Sequence, residues 1–262
     1  HRDLHSFPTR RSSDLDWLPR YTGAPLASFA KYILLTNFIN YVEMFAEMHG
    51  VEIIGRNKPM QMATSGEVTI INFGMGSPLA ATVMDLLSAV KPQAVLFLGK
   101  CGGLKKTRLG DFILPIAAIR GEGTSNDYLP PEIPALPSFR LHKAVSIEIR
   151  QRKLEYWTGT VYTTNRRVWE HDKDFREYLQ KIRAIGIDME TATLFTVGFA
   201  NEIPRGALLL VSDNPMVPEG IKTSKSDTSV TAKFVKTHLE IGIDSLRNLA
   251  RTGQSVKHMR FE

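Results

Sequence analysis

Ala94-Val-Leu-Phe-Leu-Gly-Lys-Cys-Gly-Gly103 sets five apolar residues directly before a glycine-rich segment. A short continuous apolar run of this kind reads as a strand buried on both faces of a parallel or mixed sheet, with Gly99 to Gly103 as the turn that ends it. The same unit stands just upstream: Val68-Thr-Ile-Ile-Asn-Phe73 is a strand stopped at Gly74, and Pro78 opens a helix through Leu87 and Val90. Further upstream, apolar residues recur at three- and four-residue steps from Ser28 to Met48, which predicts an amphipathic helix ended near Gly50.

Downstream the alternation continues. Strands are expected at Phe112 to Ile119, Trp157 to Thr164, Ala184 to Asp188 and Ala207 to Ser212. Helices are expected over 138–153, Val168 to Arg183, Met189 to Asn201 and Ser229 to Leu249. Gly121 to Pro137 is a long loop carrying four prolines, a length more often functional than idle. Strands alternating with helices, with no internal repeat and no low-complexity linker, predict a single α/β domain over 16–262. Residues 1–15, HRDLHSFPTRRSSDL, show no helix or strand period and no apolar signal-peptide core. They resemble a translated sequencing adapter and are set apart as a non-native or disordered segment.

Composition narrows the function classes. At 262 residues with 43% hydrophobic and 23% charged residues, the chain is long enough to bury a large core, which excludes a disordered or collagen-like protein. A single cysteine, Cys101, forbids an internal disulfide and points to a cytoplasmic, reducing compartment. No apolar run approaches the roughly 18 to 20 residues that cross a bilayer, so no membrane partner is expected. The net charge of +6 is spread in pairs and triplets, with no zinc-finger spacing or arginine tract, and nucleic acid is not expected as a partner either. His49, His142 and His171 show no metal-ligand spacing, so no metal and no cofactor are called for.

In α/β sheets the ligand lies past the carboxyl ends of strands, where turns expose backbone N–H groups. The polar residues at those ends are therefore the candidates. They are Gly74, Met75, Gly76 and Ser77; Gly99, Lys100, Cys101 and Gly102; Thr163, Thr164, Arg166 and Arg167; Asp188, Met189 and Glu190; and Ser212 with Asp213. Neither glycine cluster matches the G-x-G-x-x-G or G-K-[ST] phosphate fingerprints, and each is also readable as a plain tight turn. Asp188 is readable as a helix N-cap, Glu190 as a favourable first-turn charge, and Ser212 and Asp213 as turn formers before Asn-Pro. The functional alternative is that these ends converge on one edge, where two carboxylates take different roles, one protonated and one ionised.

Five motifs in order, Phe-Gly-Met-Gly-Ser-Pro (73 to 78), Gly-Lys-Cys-Gly-Gly-Leu (99 to 104), Gly-Thr-Val-Tyr-Thr-Thr-Asn (159 to 165), Asp-Met-Glu-Thr-Ala-Thr (188 to 193) and Val-Ser-Asp-Asn-Pro (211 to 215), resemble the nucleoside phosphorylase and hydrolase superfamily. Within it, Arg20-Tyr-Thr-Gly-Ala-Pro, Leu34-Leu-Thr-Asn-Phe and the stretch from Asn165 to Glu170 look like the bacterial AMP nucleosidases, in a short form without their N-terminal regulatory region. The resemblance implies a mixed, partly barrel-like sheet flanked by helices, assembly into homohexamers, and hydrolysis of AMP to adenine and ribose 5-phosphate in purine salvage. The alternative is a phosphate-dependent purine or uridine nucleoside phosphorylase.

It also implies roles. Glu190 holds the ribose 2′- and 3′-hydroxyls in ionised form, Met189 lies beneath the sugar, and Asp213 protonates the leaving purine at N7. Thr163 and Thr164 line the base and ribose pocket, while Gly23 and the two glycine clusters contact anion and ribose. Lys100, Arg166, Arg167 and, across a subunit boundary, Arg56 are the candidates for a 5′-phosphate. Two departures stand out. Phe97 and Lys100 occupy the positions where the phosphorylases use an arginine and a serine, and Thr22 and Gly23 lie where related nucleosidases offer a glutamate.

Overall fold

The computed structural model describes residues 12–217, 220 and 224–252. Eight strands form one sheet: β1 (Tyr32–Thr36), β2 (Gln61–Ser65), β3 (Val68–Asn72), β4 (Ala94–Gly103), β5 (Phe112–Gly121), β6 (Tyr156–Thr164), β7 (Gly186–Asp188) and β8 (Arg205–Asp213). The α-helices are α1 (Ser12–Thr22), α2 (Ile39–His49), α3 (Ser77–Leu87), α4 (Phe139–Gln151), α5 (Lys173–Lys181), α6 (Thr191–Ala200) and α7 (Ser224–Thr252).

The strand order is β2-β3-β1-β4-β7-β6-β5-β8, and β8 returns to pair with β4. Strands β4, β7, β6, β5 and β8 thus close into a mixed barrel, and β1, β3 and β2 extend from it as a wing. The α/β class and the partly barrel-like sheet are as expected. Alternation along the strands sends side chains to two cores. Ile33, Leu35, Phe97, Leu209 and Val211 pack with Met84 of α3 and Phe195 of α6. Leu34, Leu96, Leu98, Leu208 and Leu210 pack on the other face with Phe45 of α2, Val145 of α4 and Leu239 of α7. Both faces are covered, which is why these strands read as unbroken apolar runs rather than alternating ones.

Several boundaries differ from the sequence reading, each for a physical reason. The helix expected over Ser28 to Met48 is a strand followed by a helix. Tyr32–Thr36 is buried along its whole length between β3 and β4, and an apolar run buried on all sides satisfies a helical period as well as a strand. Gly99 to Gly103 is not a turn but the second half of β4, bulged between Cys101 and Gly102. Glycine is needed there for packing: a Cβ on Gly102 would lie 2.9 Å from the Pro215 ring, and one on Gly103 would lie 2.0 Å from Thr107 Oγ1. The helix expected from Val168 begins only at Lys173, capped by the Asp172 side chain, which accepts from the Phe175 N–H. Strand β2, a hairpin partner of β3, has no counterpart in the sequence reading. Helix α1 begins at Ser12, inside the segment set apart, while residues 1–11 lie outside the described residues. Among the described residues no helix is long and apolar enough to cross a membrane.

One glycine ties α1 to the wing. Gly55 adopts φ +78°, and a Cβ there would stand 2.2 Å from the Thr22 carbonyl oxygen, a backbone atom that cannot swing aside. Gly55→Ala is expected to destabilise the fold by about 1–3 kcal/mol, read as a lower urea midpoint with an unchanged m-value. An unchanged midpoint would show that the Gly55 turn relaxes freely.

Candidate active site

The barrel strands do not all point one way. β4 and β8 are parallel to each other, while β7, β6 and β5 run against them. The candidate residues therefore converge not along one common edge but where the end of β4 and β8 crosses the end of β6 and β7. The register makes this concrete: Gly102 pairs with Asp213 on one side and with Ile187 on the other. Two strand spacings set the Cα atoms of Asp213 and Ile187 about 10 Å apart, on either side of Gly102. A cleft opens there, lined by Lys100, Cys101, Gly102, Thr164, Arg166, Arg167, Asp188, Met189, Glu190, Ser212 and Asp213, with Met75 from the turn after β3.

Asp188 and Glu190 are both buried and have different tasks. Asp188 accepts from Thr163 Oγ1 at 2.7 Å and from the Thr191 N–H at 2.8 Å, so it caps α6 and ties it to β6. Thr163 in turn accepts from the Ala192 N–H, which places its hydroxyl in this internal network. Glu190 stands at the N-cap position of α6 but makes no side-chain cap bond. Its carboxyl instead accepts from the Gly76 N–H at 2.7 Å and the Met189 N–H at 3.3 Å, and Asn37 donates to it as well. Ser77 Oγ donates to the Met189 carbonyl at 2.6 Å. The turn after β3 therefore holds the Met189–Glu190 segment in place, and Gly74, Gly76 and Ser77 support the cleft from behind its lining.

Burial of Glu190 in this pocket, followed by the neighbouring Asp188 charge, pushes its carboxyl up to about 8. Burial raises Asp188 too, against the pull of its threonine bonds. The sequence reading takes Glu190 as ionised; its burial and the neighbouring Asp188 oppose ionisation and favour the protonated carboxyl. Ser212 Oγ donates to Asp213 Oδ1 at 2.6 Å and lies 3.4 Å from the Cys101 carbonyl, so the shorter bond orients the Asp213 carboxyl.

The cations sit in distinct settings. Lys100, largely buried, has its ammonium 4.5 Å from the centre of the Phe38 ring. Arg166 pairs with Asp172 at 2.7 Å and lies over the Phe175 ring, while Arg167 lines the cleft as an exposed guanidinium. Phe97 packs on Phe73 in the core, so of the two positions that differ from the phosphorylases only Lys100 reaches the cleft.

Other candidates lie elsewhere. A Cβ on Gly99 would meet Phe97 and Leu209, so this glycine serves core packing. Gly23 ends α1 beside Gly55 and Lys58, and Arg56 lines a separate hollow with Glu43, Glu47 and Glu52. Among the described residues no group of three His, Cys, Asp or Glu side chains is arranged to hold a metal. The cleft also contains residues the sequence reading did not place in it: Asn37, Phe38, Trp169, Glu170, Ile187 and Pro215. Asn37 and Phe38 follow β1 and were hidden by reading that strand as helix; the strand-end rule applied to Thr36 finds them.

A family model described as the phosphorylase superfamily matches residues 31–251. The chain belongs to that superfamily. Within the phosphorylase superfamily, it is 57% identical to the AMP nucleosidase from Bacteroides thetaiotaomicron, whose crystal structure matches with a TM-score of 0.82 over 92% of this chain and 97% of that one. It is 30% identical, over 95% of its length, to the AMP nucleosidase of Escherichia coli, and spans 61% of that relative. A uridine phosphorylase from Vibrio fischeri, at 22% identity and a TM-score of 0.76, covers 85% of this chain and 93% of that one and shares the fold. The resemblance to the AMP nucleosidases read from the motifs is borne out, and the phosphorylases are more distant.

Proposed function

We propose that this chain hydrolyses the N-glycosidic bond of AMP, releasing adenine and ribose 5-phosphate. The observation that carries the reading is that Asp213 and Glu190 line one cleft, where Gly102 of β4 pairs with Asp213 and with Ile187 of the strand that leads into Glu190. Breaking an N-glycosidic bond builds positive charge on the ribose and negative charge on the departing base, and a productive site must answer both. Asp213, with one oxygen held by Ser212, delivers a proton to purine N7 from the other. Glu190 accepts from the ribose 2′- and 3′-hydroxyls; as those donors arrive, the ionised carboxylate is favoured and stabilises the developing cation. Met189 lies beneath the sugar, and Thr164 lines the base and ribose pocket.

For the 5′-phosphate, Arg167 and Arg166 offer guanidinium forks and Lys100 a point charge. Water, not orthophosphate, is the nucleophile in this reading, and the core position of Phe97 supports it, since an aromatic side chain packed on Phe73 offers no anion ligand. The catalytic domain takes in residues 16–262 together with the start of α1 at 12–15. It works as a cytoplasmic homohexamer in purine salvage, needing neither cofactor nor metal.

The test is chromatographic assay of the free base released from AMP, adenosine and IMP, each with and without orthophosphate. Adenine release from AMP at the same rate in both conditions is expected. Strict dependence on orthophosphate, with ribose 1-phosphate chemistry in place of hydrolysis, would overturn the reading in favour of a phosphorylase.

A further inference from the structure

Four carboxylates line the cleft: Glu170, Asp188, Glu190 and Asp213. Three of them have tasks already. Asp188 is bonded to Thr163 and Thr191, Glu190 is held by the Gly76 N–H and is the proposed sugar carboxylate, and Asp213 is held by Ser212 and is the proposed acid at purine N7. Glu170 is unassigned. One of its oxygens accepts from the Trp169 N–H at 2.9 Å; the other makes no hydrogen bond among the described residues, and no cation pairs with it there. A carboxylate that lines a binding cleft with a free acceptor oxygen calls for a donor on the ligand.

We propose that Glu170 reads the exocyclic 6-amino group of the purine and is the residue that selects adenine over hypoxanthine nucleotides. This rests on the reading of the cleft as a purine nucleotide site. On a purine, N7 and the 6-substituent share one edge, so in a cleft lined by both carboxylates an acid acting at N7 and a reader of the 6-position work on the same end of the nucleotide. A carboxylate is acceptor-only: it takes a hydrogen bond from an amine, but sets its lone pairs against those of a 6-oxo group. The support is firm enough to discriminate. Trp169, 5% exposed, packs edge-on against Phe175 at 5.5 Å, and it is the Trp169 N–H that orients the Glu170 carboxyl. The arginines upstream do not cancel the effect. Arg166 is paired with Asp172, and the non-helical chain from Arg167 to Glu170 can span up to about 10 Å, enough to set phosphate and 6-amino readers at opposite ends of one nucleotide.

The experiment compares kcat/KM for AMP and IMP, together with direct binding of both nucleotides by calorimetry, in the wild-type chain, Glu170→Gln and Glu170→Ala. The glutamine amide offers both a donor and an acceptor, and alanine offers neither. Both variants are expected to lower the AMP-to-IMP preference by about 10- to 100-fold, while the preference for AMP over adenosine stays unchanged. An AMP-to-IMP ratio equal to the wild type's in both variants would overturn the assignment. So would an equal loss on both nucleotides restored by added formate, which would make Glu170 a base for the attacking water instead. If the wild type cleaves neither nucleotide, the hydrolytic reading fails, and the binding ratio alone then decides for or against Glu170.

Discussion

Asp213→Asn is expected to lower kcat for adenine release from AMP by about 10²- to 10⁴-fold while changing KM by less than about threefold, the range a positioned general acid supplies. Asparagine keeps the shape of the side chain, and its carbonyl still accepts from Ser212 Oγ, which lies 2.6 Å from Asp213 Oδ1. The amide can even donate to N7. What it cannot do is transfer a proton, so the purine must leave as an anion. Ground-state binding survives and transition-state stabilisation does not, which is the signature of a fall in kcat at nearly constant KM. A control separates this from misfolding: nitrophenyl ribose 5-phosphate, whose leaving group departs without a proton, should lose far less than AMP. Equal losses on both substrates would show that Asp213 holds the site together without acting as its acid.

Much of this arrangement is legible in the sequence, because strands buried on both faces leave long apolar runs and strand ends leave polar punctuation. Asp213, Glu190, Met189 and Lys100 all sit at the ends of such runs, and all line the cleft. Four features resisted. The run Tyr32–Thr36 has no alternation to tell it from a helix, since its neighbours β3 and β4 and the two cores bury every side chain. The glycines of β4 look like a turn because the sequence does not carry the close approach of Pro215, Thr107 and Phe97 that requires them. Convergence on a single edge fails because strand direction is a pairing property: nothing in Gly186–Asp188 says that it runs against β4. Trp169 and Glu170 were read as the start of a helix, and it is the Asp172 cap that leaves them in the irregular segment facing the cleft.

Glu190→Gln joins the chemistry of the site to its stability. Glutamine mimics the protonated form that burial favours, but it cannot ionise when sugar hydroxyls arrive, so kcat/KM for AMP is expected to fall by about 10²- to 10³-fold. In the wild type, burial and the Asp188 charge push the Glu190 carboxyl up to about 8 in the folded chain, from 4.5 as its ordinary value. Between those limits the unfolded chain loses a proton that the folded chain keeps. The contribution of this group to stability is therefore fully present below pH 4.5 and is lost as pH rises through 8, with a slope of at most about 1.4 kcal/mol per pH unit. Asp188, also raised, acts in the same direction, so the variant should flatten the slope without abolishing it. Binding reverses the cost. If the ribose hydroxyls favour the carboxylate, then ribose 5-phosphate binding at pH 7 should release up to about one proton, seen as a calorimetric enthalpy that varies with the ionisation enthalpy of the buffer, and the variant should release none. A wild-type enthalpy independent of buffer, together with equal pH slopes in the two proteins, would mean that Glu190 is already ionised in the empty cleft, and the charge answering the oxocarbenium ion would then be standing in place before the substrate arrives.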